Sequence, residues 1–396
     1  MYARKRLDIG WSDLAAGALR AALSAPAESL ARDVEARLSG EGREAIAFLS
    51  LRSGFDLMLR ELALPRGSEV IVSALTIPDM WTLLEHHGLR VVPVDVDSAT
   101  LAPSAADIER LVTPATRAVL VAHLFGTRNG LDEILRVARE RGLLLWEDCA
   151  QTFDSPTPLG DARADCSMLS FGPIKTATAL GGGALIFRDA ALAAKVRAAH
   201  ATHPRASSGA FLGRVLKYVG LKFISLPLPY ACFVEICRWR GRDYDTAIQA
   251  SVRGFARDEL LARLRRQPSR ALLALMLRRI AQADGTRVRA RKAAGDELMR
   301  ALEGLREVPG SAAPYHDHWV FTVLSDEPAA LIARLRAAGF DATSVATMRS
   351  VPAPAGEPDL APRAAERMLA RLVYVPMYPE LPARASMRLA AALRQR

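Results

Sequence analysis

The sequence is poor in cysteine and in aromatic residues. Phe, Trp and Tyr make up 6% of its 396 residues, and its four cysteines are Cys149, Cys166, Cys232 and Cys237. The cysteines form neither a CxxC pair nor a His-Cys cluster at metal-ligand spacing, which argues against a disulfide framework and against a structural zinc site. We therefore predict buried, reduced thiols and no bound metal.

The sequence also lacks an apolar run long enough to cross a membrane. Its most apolar segment is 215–234, and the uncharged part of that segment, 223–234, has 12 residues, whereas a spanning helix needs about 20. Basic residues stand near the N-terminus at 4–6, but no apolar export region follows them. We therefore expect a cytoplasmic protein.

Acidic residues are scarce between residues 205 and 300. This segment has 20 Lys and Arg against 8 Asp and Glu, a net charge of +12, whereas the other 300 residues carry a net charge of −2. No aromatic-interleaved basic face or recognition motif accompanies the charge, so we expect no nucleic acid as a partner. An apolar segment flanked by basic residues is typical of a surface that lies on an anionic membrane, here the inner face. The segment 211–242 is therefore predicted to contact such a membrane, or else to pack in a dimer interface or an interdomain core.

From about residue 40 to 190, short apolar runs alternate with helical periods, which is the pattern of parallel-strand α/β proteins. The predicted strands are 69–74, 89–94, 117–122, 143–146, 167–171 and 184–187. Ser104 and Asp107 form a capping-box pattern at the start of one intervening helix. A smaller α/β unit is predicted from about residue 291, with strands at 319–323 and 372–375 around a helix at 328–338.

The change in composition along the chain predicts three parts. The N-terminal segment and a large domain cover 1–200, a basic, apolar and helical insertion covers 201–290, and a small C-terminal domain covers 291–396.

Reactive side chains follow two of the predicted strands. Asp148 and Gln151 come after strand 143–146, and Ser170 and Lys175 come at the end of strand 167–171. Because ligand sites of open α/β sheets lie at the carboxyl ends of strands, we expect these side chains to meet in one cleft. A carboxylate that follows a buried strand also needs a partner, since otherwise it becomes neutral.

The spacing of these residues resembles that of a known family. Asp148-x-Ala150-Gln151 is followed 27 residues after the aspartate by Lys175 in Ser-Phe-x(3)-Lys, and then by the glycines at 181–183. Together with segments 88–97, 123–126 and 374–379, these motifs resemble the DegT/DnrJ/StrS family of pyridoxal-phosphate (PLP) aminotransferases, with this chain as a divergent member. The resemblance implies an α/β, fold type I PLP-transferase. Its large domain would hold a mostly parallel, seven-stranded sheet between helices, and a smaller C-terminal α/β domain would follow.

The resemblance implies a role for each matched residue. Lys175 would bind PLP as a Schiff base and then move the proton of the substrate Cα. Asp148 would pair with the pyridinium nitrogen, Gln151 would contact the phenolic oxygen, and Ala150 would lie against the ring.

The cofactor phosphate would be bound from two sides. Ser170 supplies a hydroxyl, and a helix start after Ser50 supplies backbone N–H groups together with Arg52 and Ser53. The resemblance also implies a homodimer with its sites at the subunit interface.

Three features depart from the family pattern. The stacking aromatic expected after Thr76 is Ile77, and Trp81, on the same helical face if a helix begins near Pro78, is our substitute for it. The segment 253–257 stands where the family supplies an asparagine from the partner subunit. The basic apolar stretch 205–265 replaces a region that helps to bind substrate in sugar-nucleotide enzymes.

We predict a PLP-dependent aminotransferase with glutamate as amino donor. The acceptor would be the keto group of a sugar nucleotide or of an amphiphilic, lipid-linked molecule. Two alternatives stay open. The lost aromatic and the lost asparagine favour a regulatory or scaffolding protein on the PLP fold. The second alternative is PLP chemistry without transamination. Deoxygenating members of the family replace the lysine with histidine, so Lys175 argues against that reaction here.

Overall fold

The computed structural model describes residues 1–23, 26–40, 42–155, 160–245, 260–344 and 347–395. Its strands are β1 (Glu44–Phe48), β2 (Glu69–Ser73), β3 (Leu75–Thr76), β4 (Arg90–Val94), β5 (Thr116–Ala122), β6 (Thr127–Arg128), β7 (Leu144–Asp148), β8 (Cys166–Ser170), β9 (Gly183–Phe187), β10 (Tyr315–His316), β11 (Phe321–Leu324), β12 (Arg349–Ser350) and β13 (Leu372–Val375). Its α-helices are α1 (Trp11–Leu23), α2 (Ala27–Leu38), α3 (Leu51–Leu62), α4 (Pro78–His86), α5 (Ala105–Leu111), α6 (Asp132–Glu140), α7 (Ala190–Ala201), α8 (Ser208–Ile224), α9 (Pro227–Trp239), α10 (Leu260–Leu264), α11 (Arg270–Ala281), α12 (Thr286–Ala301), α13 (Pro328–Ala337), α14 (Arg363–Arg371) and α15 (Ala383–Arg394).

Seven strands form the central sheet, in the order β1-β9-β8-β7-β5-β2-β4. The neighbours from β8 to β4 pair in parallel, and β9 pairs antiparallel with both β8 and β1. The predicted α/β class with a mostly parallel, seven-stranded sheet is therefore confirmed.

The strands are continuous apolar runs because helices cover both faces of the sheet. Successive residues of β1 show the two faces. Ala45 and Ala47 belong to a core cluster with α1, α2 and α11, whereas Ile46 and Phe48 belong to a cluster with α3 and α4. The six strands predicted for this part of the chain are confirmed to within two residues. Strand β1 was not predicted, because a run of only four apolar residues does not distinguish a strand from a helix.

Local sequence signals place several helix ends. The Ser104 hydroxyl accepts the N–H of Asp107 and caps α5, which confirms the predicted capping box. Helix α4 begins at Pro78, where the ring presets a helical backbone angle.

The chain beyond residue 291 forms a smaller layer in which β11 and β13 pair antiparallel and α13 packs against α15. Two short ladders join this layer to the large sheet, β10 with β6 and β12 with β3. Because β3 and β6 follow the carboxyl ends of β2 and β5, the ladders hold the smaller layer at that edge of the sheet. The boundaries at 200 and 290 stay a prediction.

The apolar segment 215–234 lies in two helices, α8 and α9, whose axes are bent by 93° at the break between them. In the described part of the chain, no single helix is both long and apolar enough to cross a membrane. Helices α8 and α9 meet the requirements of length and apolar character only when they are taken as one bent pair. Cys232 is exposed on α9, so the prediction of four buried thiols is wrong at this position. Helical periodicity explains it, because Tyr230, Val234 and Cys237 form the buried face.

Candidate active site

Three neighbouring parallel strands, β5, β7 and β8, end at the same edge of the sheet. Asp148 is the last residue of β7, and Ser170 is the last residue of β8. Lys175 lies in the loop after β8, where its backbone N–H donates to the Gly172 carbonyl. The predicted residues therefore stand at one edge of the sheet, the edge that also carries the C-terminal layer.

Lys175 lies beside a tryptophan. Its Nζ is 4.5 Å from the centroid of the Trp319 ring, and the indole N–H donates to the Ile174 carbonyl at 3.2 Å. Burial lowers the pKa of Lys175 to about 8, the Asp148 carboxylate acts in the opposite direction, and Arg52 lowers the pKa further. A large fraction of the amine is therefore neutral near pH 8, as a nucleophile requires.

The Asp148 carboxylate has one backbone donor. Its Oδ1 accepts the Ala150 N–H at 2.9 Å, and among the residues that the structure describes no other hydrogen bond or ion pair reaches this carboxylate. Burial raises the pKa of Asp148, while Lys175 and His123 oppose the shift. A carboxylate that is removed from water and has one oxygen without a hydrogen-bond donor is suited to bind a cationic N–H group.

Gln151 is held by a strained turn. Its Oε1 accepts the Phe125 N–H at 2.8 Å, and Phe125 and Gly126 both have positive φ angles, 56° and 99°. With the carbonyl oxygen engaged in this way, the amide NH₂ is the group that remains for a ligand oxygen.

Helix α3 begins next to the same cleft. Ser50 forms a bridge with Gly182 and caps the helix by accepting the Ser53 N–H at 3.2 Å. A Cβ at Gly183 would lie 2.2 Å from the Leu51 nitrogen, so this glycine lets β9 pass directly against the first turn. Arg52 pairs with Asp79 of α4. A helix start with an arginine and the nearby Ser170 hydroxyl suits a phosphate.

The two candidates for ring stacking lie at the start of α4. Ile77 is its N-terminal cap residue and Trp81 lies in its first turn. Both side chains are half-buried and pack against the cluster that contains Phe55 and Trp146, as does Ala150. The segment 253–257, where the family's asparagine would stand, lies outside the described residues.

Sequence reasoning missed three buried groups that tertiary structure brings together. His123 Nε2 lies 2.8 Å from Glu147 Oε1, and the ligand atoms of His123, Glu147 and Cys149 all lie within 4.8 Å of one another. Glu147 also accepts from the Ser167 hydroxyl and the Asp161 N–H, both at 2.8 Å. These hydrogen bonds satisfy the group as it stands, and the expectation of no metal stays a prediction.

His123, Glu147 and Cys149 line a cavity of about 210 Å³. Because consecutive residues of a strand point to opposite faces, Glu147 and this cavity lie on the other face of β7 from Asp148. The sequence spacing gave no signal for the group, since His123 follows β5 whereas Glu147 lies on β7.

The residues of the cleft fit PLP. Asp148 offers an oxygen for the pyridine nitrogen, Gln151 an N–H for the phenolic oxygen, and Lys175 an amine of lowered pKa. Together with the mostly parallel seven-stranded sheet, they define a fold type I PLP enzyme. Residues 29–222 match the model of the DegT/DnrJ/EryC1/StrS aminotransferase family, and the chain belongs to this family, whose members use PLP.

Two curated relatives are similar over part of their length. The GDP-perosamine synthase of Caulobacter vibrioides is 34% identical over 157 residues, which are 39% of this chain and 42% of that protein. The L-glutamine:2-deoxy-scyllo-inosose aminotransferase of Streptomyces fradiae is 39% identical over 150 residues, which are 36% of this chain and 34% of that protein. The chain thus matches less than half of the length of these relatives.

The fold is similar over almost the whole chain to a solved structure, PseC of Helicobacter pylori, an aminotransferase involved in the biosynthesis of pseudoaminic acid. The TM-score is 0.71, the sequence identity is 13%, and the match covers 99% of this chain and 98% of that one. The C-terminal layer, which the family model leaves out, is therefore part of the shared fold.

Proposed function

We propose that the protein is a PLP-dependent aminotransferase that moves an amino group from an amino acid donor, glutamate, to the keto group of a nucleotide-linked sugar. The observation that carries the proposal is the position of Lys175, with its lowered pKa, beside Asp148 at the carboxyl edge of the sheet. The names of the similar proteins support the acceptor class, since one of them is a GDP-perosamine synthase.

Each residue of the cleft has a part in this reaction. When bound, PLP acts as an electron sink for the substrate carbanion. Lys175 Nζ binds the cofactor and then carries the proton taken from the substrate Cα. Asp148 keeps the ring nitrogen protonated, and Gln151 orients the phenolic oxygen.

The remaining residues hold the ends and faces of the cofactor. Ser170, Ser53 and Arg52 bind the phosphate. Ala150 would lie against the cofactor ring, and Ile77 or Trp81 would stack on it.

The visible absorption spectrum of the purified protein tests the function directly. We expect an absorption band of bound cofactor in wild type, its loss in Lys175→Ala, and its conversion to the amine form on addition of glutamate. Lys195→Ala is the matched control, because Lys195 is exposed on α7. A band that responds to no amino acid would indicate other PLP chemistry, and no band even with added PLP would indicate a scaffolding or regulatory protein.

We further propose that the acceptor is amphiphilic or lipid-linked, and that α8 and α9 dock on an anionic membrane to reach it. Five large apolar side chains of these helices stay exposed, with Trp239 and Leu228 the most exposed at 83% and 75%: Leu216, Phe223, Leu228, Ile236 and Trp239. Exposed apolar side chains of this size mark interaction surfaces.

Charge favours a membrane as the occupant of this surface. Lys217, Arg240 and Arg242 are exposed on the same two helices or just beyond them, and basic residues beside apolar ones match an anionic lipid surface. A second copy of the chain would instead meet the same positive charge.

Binding to vesicles that contain phosphatidylserine tests the docking proposal. Neutralising Lys217, Lys222, Arg238 and Arg240 to Gln should weaken binding at least tenfold, since each basic residue near the surface contributes about 1 kcal/mol. Four exposed basic residues elsewhere, Lys195, Arg110, Arg136 and Arg363, provide a control with the same change of charge. Absence of vesicle binding, or equal binding by both variants, would contradict the proposal. A change of oligomeric state in the first variant would show that the surface joins two copies of the chain.

A further inference from the structure

The N-terminal segment crosses the C-terminal layer and arrives beside Lys175. Tyr2 forms a bridge with Phe340, Arg4 pairs with Asp341 at 3.0 Å, and Asp8 accepts the Ala177 N–H at 2.9 Å. Lys5 and Arg6 stand between these anchors. Their position at the cleft is therefore fixed from both sides.

Lys5 and Lys175 contact the same indole ring. Lys5 Nζ lies 3.4 Å from the centroid of the Trp319 ring and 3.4 Å from the Trp319 carbonyl oxygen. Burial lowers the pKa of Lys5 well below its usual range, Lys175 and Arg291 lower it further, and Asp317 and Asp8 act in the opposite direction. No carboxylate lies within 4 Å of Lys5 or Arg6 in the part of the chain that the structure describes. Lys5 is half-buried, and an ammonium that is partly removed from water is stabilised by an anionic partner, which the described residues do not supply at this contact distance.

The neighbouring arginines differ in how far they are neutralised. Arg287 pairs with both Asp8 and Glu380 at 2.7 Å. Arg291 is 8% exposed and donates through Nε to the Asp317 carbonyl at 2.8 Å. Its Nη2 is 2.9 Å from Asp317 Oδ1, yet it makes no aligned hydrogen bond. Arg291 is thus paired with the Asp317 carboxylate, in a geometry that leaves the N–H groups of Nη2 poorly aligned.

The size of the pocket limits the ligand. Lys5, Arg6, Lys175, Arg291 and Trp319 line a pocket of about 30 Å³. That volume holds roughly two water-sized groups, which is enough for the two oxygens of a carboxylate.

We propose that Lys5, together with Arg6 and Arg291, binds a carboxylate of the amino donor beside Lys175. The inference rests on the proposed aminotransferase function and names the group by which the donor is recognised. Charge-assisted hydrogen bonds to Lys5 and Arg291 hold the carboxylate, and their fixed positions orient the donor toward the Lys175 amine.

Isothermal titration of the holoenzyme tests the proposal with glutarate, a dicarboxylate that has no amino group and is therefore bound without transfer. Lys5→Gln should raise the Kd for glutarate about tenfold or more, the expected effect of losing a hydrogen bond to a charged group. Lys5→Arg should keep the Kd within about threefold, since the charge remains. Lys195→Gln is the matched control. If Lys5→Gln does not fold, Arg6→Gln serves in its place, with an expected loss of about threefold from a more distant charge.

Inorganic pyrophosphate distinguishes a carboxylate from a phosphate ligand. We expect its Kd to change less than twofold in Lys5→Gln. An unchanged Kd for glutarate would overturn the proposal. So would equal weakening of glutarate and pyrophosphate, which would indicate a general attraction of anions. Failure of the aminotransferase function itself would appear separately, as a wild-type cofactor band that no amino acid changes.

Discussion

Burial acts in opposite directions on the two charged side chains of the cleft. It lowers the pKa of Lys175 and raises the pKa of Asp148, because water stabilises both ions better than the protein does. Each ion partly offsets the effect on the other. The result is a lysine that is reactive near neutral pH and an aspartate that needs a cationic partner.

The reactivity of Lys175 should follow this lowered pKa. In cofactor-free protein, the rate of modification of Lys175 by trinitrobenzenesulfonate should reach half of its maximum near pH 8, because only the neutral amine reacts. Asp148→Asn should move this midpoint to lower pH, since it removes a charge that favours the ammonium, and Arg52→Gln should move it to higher pH. Mass spectrometry of the peptide that contains Lys175 gives the rates. A midpoint near pH 10.4, the ordinary lysine pKa, would contradict the prediction.

Helix α3 contributes to the site through the position of its first turn and through the contacts that fix it. The first turn of α3 lies against Gly183, and the body of α3 is joined to the chain after α10 by an ion pair between the buried Asp56 and the partly exposed Arg265. Asp56 of α3 accepts from Arg265 and lies 2.9 Å from His87 Nε2. Its side chain is 2% exposed. These contacts fix the helix whose start is proposed to bind phosphate.

Asp56→Asn should destabilise the protein in a pH-dependent way. Burial alone would raise the pKa of Asp56, but the hydrogen bonds from His87 and Arg265 outweigh it and lower the pKa to about 2. A carboxyl group whose pKa is lower in the folded than in the unfolded protein stabilises the fold. This stabilisation is complete above the pKa of the unfolded state, near 4, and is lost as the pH falls toward the folded-state pKa of about 2. Urea unfolding of wild type and Asp56→Asn should therefore differ by about 2 kcal/mol at neutral pH, and the difference should shrink below pH 4. Asp33→Asn, at an exposed position of α2, should show little change at any pH. A constant difference from pH 7 to pH 3 would disprove this explanation.

At the scale of the whole molecule, one buried carboxylate connects three distant parts of the chain. Asp341 lies between the N-terminal segment, α9 and the C-terminal layer, and its side chain is fully buried. It accepts from Arg4 Nε at 3.0 Å, from the Tyr230 hydroxyl at 2.6 Å and from the Tyr244 hydroxyl at 3.1 Å. This network fixes the segment that carries Lys5.

Asp341→Asn should release that segment. Arg4 keeps its ion pair with Asp245, but its hydrogen bond to position 341 loses a charged acceptor, which costs about 1.5–3 kcal/mol. We expect a loss of this size in the free energy of unfolding, and faster cleavage by trypsin at Arg4, Lys5 and Arg6. Asp326→Asn is the control, since Asp326 pairs with Arg371 at the surface, where ion pairs contribute less than about 1 kcal/mol. Unchanged cleavage at the N-terminus would show that other contacts hold the segment.

The motif residues could be predicted because their spacing is set within short stretches of chain. Asp148, Gln151, Ser170 and Lys175 follow adjacent strands, so alternation of apolar runs was enough to bring them to one edge of the sheet. Their roles as cofactor ligands stay a prediction. Trp319 and Lys5 could not be found in this way, because Lys5 meets Trp319 across 314 positions and Trp319 meets Ile174 across 145.

The sequence by itself determined the alternation of strands and helices, the capped starts of helices such as α5, and the class of fold. These follow from local periodicity and from the backbone preferences of single residues. Only the tertiary structure decided that Cys232 is exposed, that apolar side chains of α8 and α9 stay uncovered, and that Lys5 stands beside Lys175. Each of these depends on which distant surfaces pack together, and packing is a property of the whole chain that no short stretch contains.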